Sequence, residues 1–214
     1  MTEASTKHPK PRHISLLALW LAVFAILVWS AIHPHDYFTW ILEVFPAILG
    51  AIILGATYRR FTFTTLVYAL IALHMIILIV GGHYTYAEVP FGNWVRDLFG
   101  LSRNHYDRLG HFAQGFVPAM IAREVLLRLN VVKRGGWLSV FVISLCLAFS
   151  ALYELLEWTV SALTGSAGDA FLGTQGDVFD TQKDMAMALV GSITALLVLS
   201  KTHDRQLTGS SLRK

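Results

Sequence analysis

Six long apolar segments, separated by short polar stretches, dominate the hydrophobic pattern of the chain. A helix needs about 20 apolar residues to cross the hydrocarbon core of a bilayer, and the first, second, third and fifth segments reach that length. Arg123 and Glu124 interrupt the fourth segment. The sixth has only 16 apolar residues, so it must draw Asp180 and Asp184 to membrane depth. The spans predicted from this pattern are residues 14–32, 37–56, 61–84, 111–129, 136–158 and 181–200.

This pattern predicts an all-α fold, a polytopic bundle of six transmembrane helices. The bundle forms a single domain at residues 14–200, between polar tails at 1–13 and 201–214. The first span is interpreted as uncleaved, because its apolar run of 19 residues exceeds the usual 7–15 of a signal peptide.

Two smaller patterns carry architectural predictions. Small residues recur every four positions on the second span and predict close helix packing there (Ala47, Ala51 and Gly55). Between the third and fourth spans, apolar residues follow i, i+4, i+7 spacing (Trp94, Leu98 and Leu101). That spacing indicates either a helix lying on the membrane surface or a loop packed on the bundle.

The composition agrees with a lipid environment. Hydrophobic residues make up 55% of the chain and charged residues 14%, against about 25% charged in soluble domains. The net charge of +3 is too small to indicate a nucleic-acid partner. The single cysteine, Cys146, excludes an intrachain disulfide and a metal site built from several cysteines.

The distribution of charge predicts the orientation. Thirteen of the 17 Lys and Arg residues fall on the side of the N-terminus, so the positive-inside rule places both termini in the cytoplasm. Eleven of the 14 acidic residues fall on the opposite, outer side, which leaves that side at −7 and the inner side at +10. Acidic residues contribute little to topology, so their concentration outside needs another explanation.

Three polar stretches hold most of these acids: Tyr106–Gly115, Tyr153–Trp158 and Gly176–Asp184. Within each stretch the spacing places the polar side chains on one face of a helix. The predicted topology brings the three stretches to the same outer depth, so they form one candidate site. The faces are Asp107, His111 and Gln114 on the fourth span, Glu154 and Glu157 on the fifth, and Asp177, Asp180 and Asp184 leading into the sixth.

This candidate site has the chemistry of a cation site. Ionisable groups at membrane depth cost at least ~2.5–3.5 kcal/mol each and are functional by default, and several carboxylates together need protons or a cation. An oxygen-rich set with one imidazole suits Mg²⁺, Mn²⁺, Ca²⁺ or Zn²⁺. The predicted metal ligands are Asp107, Glu154, Glu157, Asp177, Asp180 and Asp184, with His111 as ligand or general base and Arg108 as the group that stabilises anionic charge.

A purely structural explanation stays open at this point. The acids can cap helices or pair with Arg103, Arg108 and Lys183. Glu43 on the second span either joins the site or pairs locally. Arg123 is explained by snorkelling of its side chain to the cytoplasmic interface.

The motifs YDRLGHFAQGFVPAMIARE (106–124), YELLEW (153–158) and GDVFDTQKDM (176–185) resemble the YjdF family of bacterial inner-membrane proteins. The resemblance covers residues 14–200 and implies a multipass bundle in the inner membrane, without implying a reaction. The order of acidic motifs is also distantly similar to VanZ-like membrane proteins. The aspartate run lacks the glycine, the Ala-Arg pair and the spacing of CDP-alcohol phosphotransferases, so that assignment is rejected.

Three functional hypotheses follow. The leading one is a metal-assisted membrane enzyme that acts on an envelope lipid or lipid-linked phosphate at the outer face. The second is a transporter or cation-binding protein, because buried Asp, Glu and His also form ion pathways. The third is a non-catalytic assembly or stability factor. The expected partners are the lipid bilayer and a lipid or lipid-phosphate ligand; the sequence does not specify the metal, the oligomeric state or whether a reaction occurs.

Overall fold

The computed structural model describes residues 11–211; the side chains of 11–15, 166–167, 169 and 209–211 lie outside that description. Within it the chain is helical, with eight α-helices, one 3-10 turn at Tyr86–Glu88 and no strand. The helices are α1 (Pro11–Ser30), α2 (Tyr37–Thr57), α3 (Thr65–Tyr84), α4 (Pro90–Phe99), α5 (Tyr106–Arg128), α6 (Gly136–Thr164), α7 (Ser166–Leu172) and α8 (Asp180–Ser211).

Four of these helices, α2, α3, α6 and α8, are long and apolar enough to cross a membrane, and residues 16–30 of α1 form a shorter apolar segment. Large apolar side chains cover their outer surfaces, among them Phe24, Ile52 and Leu197 at 62–77% exposure. Such a surface suits lipid rather than water. The chain is therefore an all-helical membrane protein, while the count of six spans stays a prediction.

The helix α5 lies inside the bundle. It packs against α8, α6 and α3, while α1 and α2 pack on the outer side of α3. Its 23 residues include five charged ones, which explains why hydropathy alone does not distinguish it as a span. The apolar core that surrounds it includes Ile79, Val117, Met120, Val142 and Ala195.

The closest helix pair is α5 with α8, and glycine makes it possible. A Cβ atom added at Gly115 would lie 1.9 Å from the carbonyl oxygen of Ala188, and one added at Gly191 would lie 2.1 Å from that of Phe112. Any side chain at these two positions would separate the backbones. The polar ends of α5 and α8 are consequently held side by side.

The predicted small-residue contact on α2 is wrong. Ala47 is buried, but Ala51 and Gly55 are exposed, and nothing lies within 4 Å of a Cβ added at Gly55. Close helix packing at a small residue does occur, but on α5, where Gly115 lies against the backbone of α8. Spacing alone does not say which small-residue face meets another backbone.

Several helix ends also differ from the sequence prediction. The chain at 61–64 is not helical, and Thr64 caps the start of α3. The helix α5 begins five residues earlier than predicted, at Tyr106, and α6 continues six residues past Trp158. The largest difference is at residue 201, where a polar tail is predicted and α8 instead continues to Ser211; residues 1–10 and 212–214 lie outside the description.

The segment between α3 and α5 contains α4, which leaves its apolar side uncovered. Phe91, Trp94, Leu98 and Phe99 are 58–70% exposed, and Leu101, just past the helix, is 38% exposed. A loop packed on the bundle would bury these residues. The helix exists as the spacing indicates, and its exposed apolar face favours the membrane-surface alternative.

Candidate metal centre

The three polar stretches predicted to share one depth do meet in the structure. The carboxylate cluster, as we name it, consists of Glu43 from α2, Asp107 and His111 from α5, Glu154 and Glu157 from α6, and Asp184 from α8. All six residues are 5% exposed or less. The helices α5 and α8 run parallel to each other and antiparallel to α6, and the site lies where α5 and α8 begin and α6 ends.

His111 lies at the centre of the carboxylate cluster. Its Nδ1 is 3.0 Å from the side-chain oxygen of Gln114, and this amide oxygen can only accept, so Nδ1 carries the hydrogen. Its Nε2 is 3.5 Å from Oδ1 of Asp107 and 3.5 Å from Oε1 of Glu154. Nε2 therefore faces two carboxylates, and this arrangement is stable only with a proton on Nε2 or a cation between the three groups.

Two sets of three potential metal ligands share His111. The first is Asp107, His111 and Asp184, and the second is His111, Glu154 and Glu157. In each set one ligand atom per residue lies within 4.8 Å of the others. Donors around a tetrahedral ion at about 2.0 Å are separated by roughly 3.3 Å, close to the 3.5 Å contacts of Nε2.

The carboxylate cluster is under-satisfied as well as acidic. Oε1 of Glu154 and Oδ1 of Asp184 are fully enclosed and have no hydrogen-bond partner among the described residues. An enclosed acceptor without a donor is costly, and native structures leave few of them. Each of the two ligand sets contains one of these oxygens, so both oxygens are available to a cation.

A second layer of charged groups, the arginine rim, lies beside the cluster and consists of Arg103, Arg108, Asp177, Asp180 and Lys183. Arg103 holds Asp180 in a buried ion pair and donates to the carbonyl oxygens of Gly173 and Thr174. Arg108 donates to Asp177 at 2.6 Å and to Asp180 at 3.3 Å. Its Nε is 3.9 Å from Asp184, so Arg108 connects the rim to the cluster.

The arginine rim argues against two of the predicted metal ligands, Asp177 and Asp180. Lys183 and Arg108 hydrogen-bond to Asp177 and keep the pKa of its carboxyl well below the usual value. Asp180 is held by two arginines. Both aspartates already have cationic partners, which corresponds to the pairing alternative raised by the sequence. The ligand set that geometry favours is therefore Asp107, His111, Glu154, Glu157 and Asp184.

A cleft of about 680 Å³ opens beside Glu154 and Asp180, between the end of α6 and the start of α8. Trp158 and Met185 form apolar parts of its lining, and Asp177 and Thr181 form polar parts. The cleft is large enough for the head group of a small ligand. It gives the carboxylate cluster a route of access through the arginine rim.

Comparison with known proteins adds the family. The chain matches the family model described as "Predicted membrane protein (DUF2238)" over residues 15–205. It is 48% identical over 202 residues to the inner membrane protein YjdF of Escherichia coli (strain K12), which covers 94% of this chain and 96% of the relative. The chain belongs to the DUF2238 family. The resemblance to YjdF is thereby confirmed, and no solved structure matches the chain.

The sequence of this DUF2238 protein does not reveal all the residues around the site. Arg103 and Asn104 precede α5, where no periodic pattern distinguishes them. Asn104 is fully buried and exchanges two hydrogen bonds with Gln175 through its main chain, at 3.1 and 2.9 Å. These contacts fasten the loop before α5 to the loop before α8. Glu43 is buried and interacts with Asp107 and His111, which decides its open assignment in favour of the site.

A second buried polar cluster in the DUF2238 fold lies at the opposite end of α5 and α8. The Glu124 cluster, as we name it, consists of Thr64, Arg123, Glu124, Arg128, His203 and Asp204. Glu124 accepts hydrogen bonds from the Thr64 hydroxyl at 2.8 Å, from His203 at 2.9 Å and from Arg128 at 2.8 Å. Arg123 contacts Nδ1 of His203 at 2.9 Å and donates to Asp204 at 2.8 Å.

The Glu124 cluster corrects two interpretations of the sequence. Arg123 is 5% exposed and paired inside the protein, so snorkelling to the interface does not describe it. His203 is fully buried within the extension of α8, in the segment predicted as a tail. The i, i+4 spacing of Glu124 and Arg128 is the sequence signal that could have indicated their ion pair. Nothing in the sequence indicates that His203 contacts them.

Proposed function

We propose that this protein is an inner-membrane enzyme that uses a divalent cation to act on a lipid or lipid-linked phosphate at the outer face of the membrane. The observation that carries the proposal is the pair of enclosed, unpartnered carboxylate oxygens beside Nε2 of His111. A site that only stabilised the fold would pair them, as the Glu124 cluster does. A phosphate held by a cation next to these groups is the chemistry that their arrangement fits best.

Each residue has a distinct part in this proposal. Asp107, Glu154, Glu157 and Asp184 hold the cation, and His111 is either a further ligand or the base that accepts a proton from the attacking water. A cation there lowers the pKa of a bound water and neutralises charge on phosphate. Arg108 is partly exposed in the arginine rim and stabilises the anionic phosphate.

The proposed orientation is supported by the uneven distribution of charge. With both termini in the cytoplasm, the carboxylate cluster faces the outside, and the Glu124 cluster lies near the 13 inner Lys and Arg residues. In this arrangement α1, α2, α3, α5, α6 and α8 are the six spans. The inner-membrane location rests on the similarity to the inner membrane protein YjdF.

Metal analysis of the detergent-purified protein tests the proposal. We expect the wild-type chain to retain Mg²⁺, Mn²⁺, Ca²⁺ or Zn²⁺ and to lose it on substitution H111A or E154Q. The matched control is E88Q, an exposed carboxylate outside the cluster, and it should leave metal content unchanged. Wild-type protein without metal, and without stabilisation by any of the four added ions, would refute the cation site.

Activity is tested separately with two probes, phosphatidic acid and farnesyl diphosphate in mixed micelles. We expect release of inorganic phosphate that requires the metal and disappears in H111A. In the reaction the water oxygen attacks phosphorus and the bond from phosphorus to the leaving oxygen breaks. The water proton passes to His111 or a cluster carboxylate and from there to the leaving oxygen. Bound metal without phosphate release from either probe would exclude lipid-phosphate hydrolysis at this site.

Ion transport is the second candidate function, and one observation favours it. Ionisable clusters occupy both ends of α5 and α8. Midway along α3, the enclosed Nε2 of His74 has no hydrogen-bond partner among the described residues. The inner half of the protein thus holds more ionisable groups than the sequence pattern indicated. Proteoliposomes distinguish the candidates, because a cation flux that is lost in D184N and H74A would favour transport, whereas no flux in metal-loaded protein would favour the enzyme.

A further inference from the structure

A long apolar groove runs along the bundle and ends at His111. Its walls are α2 and α6, its floor is α5 with part of α3, and its volume is about 590 Å³. On the floor it extends from Gly110 to Val125, a length of about 22 Å at 1.5 Å per residue. The groove and the cleft of the arginine rim lie on opposite sides of α6, since Tyr153 lines the groove and the next residue, Glu154, lines the cleft.

The lining of the groove becomes less polar with distance from His111. The end near His111 carries Gln114, Tyr86 and Tyr153, whereas the far end is formed by residues such as Ile53, Val125 and Leu145. The hydroxyl of Tyr153 is enclosed and has no hydrogen-bond partner among the described residues. An unpartnered donor at the polar end and an apolar channel beyond it together match an amphiphile.

The groove also lies where a lipid can reach it. Leu49 and Ile53 on α2, and Phe149 and Leu152 on α6, line it and are 42–58% exposed on helices long enough to cross a membrane. The groove therefore opens sideways toward the acyl chains of the bilayer. Water does not stably fill a space with so few polar partners.

The dimensions distinguish between occupants. Volume and length correspond to a mean cross-section of about 27 Å². A helix, with a diameter of 10–12 Å including side chains, is wider than such a channel and does not fit. A single polymethylene chain is the thin, apolar, extended group that a bilayer supplies, so a helix from a second copy is not the occupant.

We infer that this groove binds one acyl chain of a bilayer lipid, which enters between α2 and α6 and places the lipid head group against His111 and Tyr153. The inference rests on the proposed function in one respect: it names the substrate class as a diacyl phospholipid whose phosphate reaches the carboxylate cluster. The acyl chain enters from within the membrane, and the head group stays at the His111 end of the groove.

Photo-crosslinking tests the groove directly. The probe is phosphatidylglycerol with a diazirine at the end of one acyl chain, in vesicles of phosphatidylethanolamine with the reconstituted full chain. We expect label on the inner half of α5, near Ile121 and Val125, which other helices enclose so that a lipid reaches them only through the groove. Label confined to outward residues such as Ile52 or Leu197, or crosslinks between two copies, would overturn the inference.

Two matched pairs of variants control for general effects on folding. Gly50 lines the groove, and Gly55 on the same helix faces open space. We expect G50F to reduce labelling of α5 about tenfold, equivalent to about 1.4 kcal/mol of lost binding, and G55F to leave it unchanged. Ile53 lines the groove and its neighbour Ile52 does not, so I53W and I52W repeat the comparison with exposed positions that tolerate large side chains. Equal labelling within both pairs would overturn the inference.

Metal content of the same samples separates this inference from the proposed function. Blocked labelling with metal retained in G50F supports the groove and leaves the metal site intact. Unblocked labelling with metal retained refutes the groove alone. Metal-free wild-type protein whose α5 is labelled, and whose labelling G50F blocks, refutes the cation site and keeps the groove as a lipid site.

Discussion

The carboxylate cluster and the Glu124 cluster are built on the same two helices and differ in how completely they are satisfied. Each contains a buried histidine and at least one buried carboxylate, and arginines lie within the Glu124 cluster and, as the arginine rim, beside the carboxylate cluster. In the Glu124 cluster every side chain meets a partner of opposite charge or a hydrogen-bond donor. In the carboxylate cluster two carboxylate oxygens have no hydrogen-bond partner among the described residues, and five carboxylates surround one imidazole.

This difference indicates different roles: the Glu124 cluster stabilises the fold, and the carboxylate cluster is explained by what it binds. A closed network of ion pairs and hydrogen bonds holds helices in register, and removing one member exposes the others to a low-dielectric interior. An open cluster gains little for the fold, because its unpaired charges repel one another. Its presence at membrane depth is then explained by what it binds. The comparison predicts effects of opposite sign for similar substitutions at the two ends of α5.

The largest effect is expected for E124A. This change removes the acceptor shared by Thr64, His203 and Arg128, and we expect the free energy of unfolding to fall by about 3–5 kcal/mol. Unfolding in detergent micelles, followed by near-UV circular dichroism, measures it. E88Q is the control, and a loss similar to that of E88Q would show that the Glu124 cluster does not fasten the helices.

A slightly smaller effect is expected for G115L, which disturbs both clusters together. The new side chain meets the Ala188 backbone and forces α5 and α8 apart, with an expected loss of about 2–3 kcal/mol. Metal binding should weaken in the same variant, because Asp107 and Asp184 are on the separated helices. G55L adds the same side chain in open space and should change neither property; equal effects of both variants would contradict close packing at Gly115.

The third prediction is a gain in the free energy of unfolding instead of a loss. D184N removes one carboxyl group from the carboxylate cluster and keeps the shape of the side chain, so in the presence of EDTA we expect a gain in unfolding free energy of about 1 kcal/mol. Added metal should stabilise the wild-type protein and not D184N. Thermal unfolding with and without the ion measures both effects. A destabilisation comparable to that of E124A would mean that the two clusters are alike.

The smallest effect is expected at a carboxylate that belongs to neither cluster. Asp36 caps α2 and accepts from the main-chain N–H of Thr39 at 2.6 Å, which lowers the pKa of its carboxyl. D36A should cost about 1 kcal/mol at pH 7. Because the folded-state pKa is the lower one, this stabilisation is present above the unfolded pKa near 4 and is lost as pH falls through the folded value.

Unfolding of wild type and D36A between pH 3 and pH 7 measures this dependence. The difference in unfolding free energy between wild type and D36A should shrink toward the acidic end of this range. A gap that is constant across the range would exclude the carboxylate charge as the source of the cap's stability.

Much of the fold could be predicted from the sequence, and so could the residue types of the site. Hydropathy locates α2 to within one residue, because its apolar run ends where the helix does. The i, i+3 spacing of Glu154 and Glu157 correctly places both on a buried face of α6. Antiparallel helices then bring residues at corresponding ends together, which is why the three polar stretches meet.

The features that could not be predicted depend on which helix surfaces contact each other. His203 lies in a polar segment that resembles a tail, and only the packing of α8 against α5 buries it. Arg103 is in a loop, where side-chain partners have no period. Small residues on α2 and α5 have similar spacing, but only Gly115 meets another backbone. Periodicity defines the faces of a helix and leaves the partner of each face undetermined.

The enclosed position of α5 has a consequence for how the protein is made. Five charged residues make α5 a poor substrate for insertion into lipid on its own, yet α8, which covers it most extensively, is synthesised last. Until α8 arrives, the polar face of α5 has no partner from that helix. We therefore expect the bundle to close only after α8 has been translated, and chains truncated before α8 to be degraded by membrane quality control.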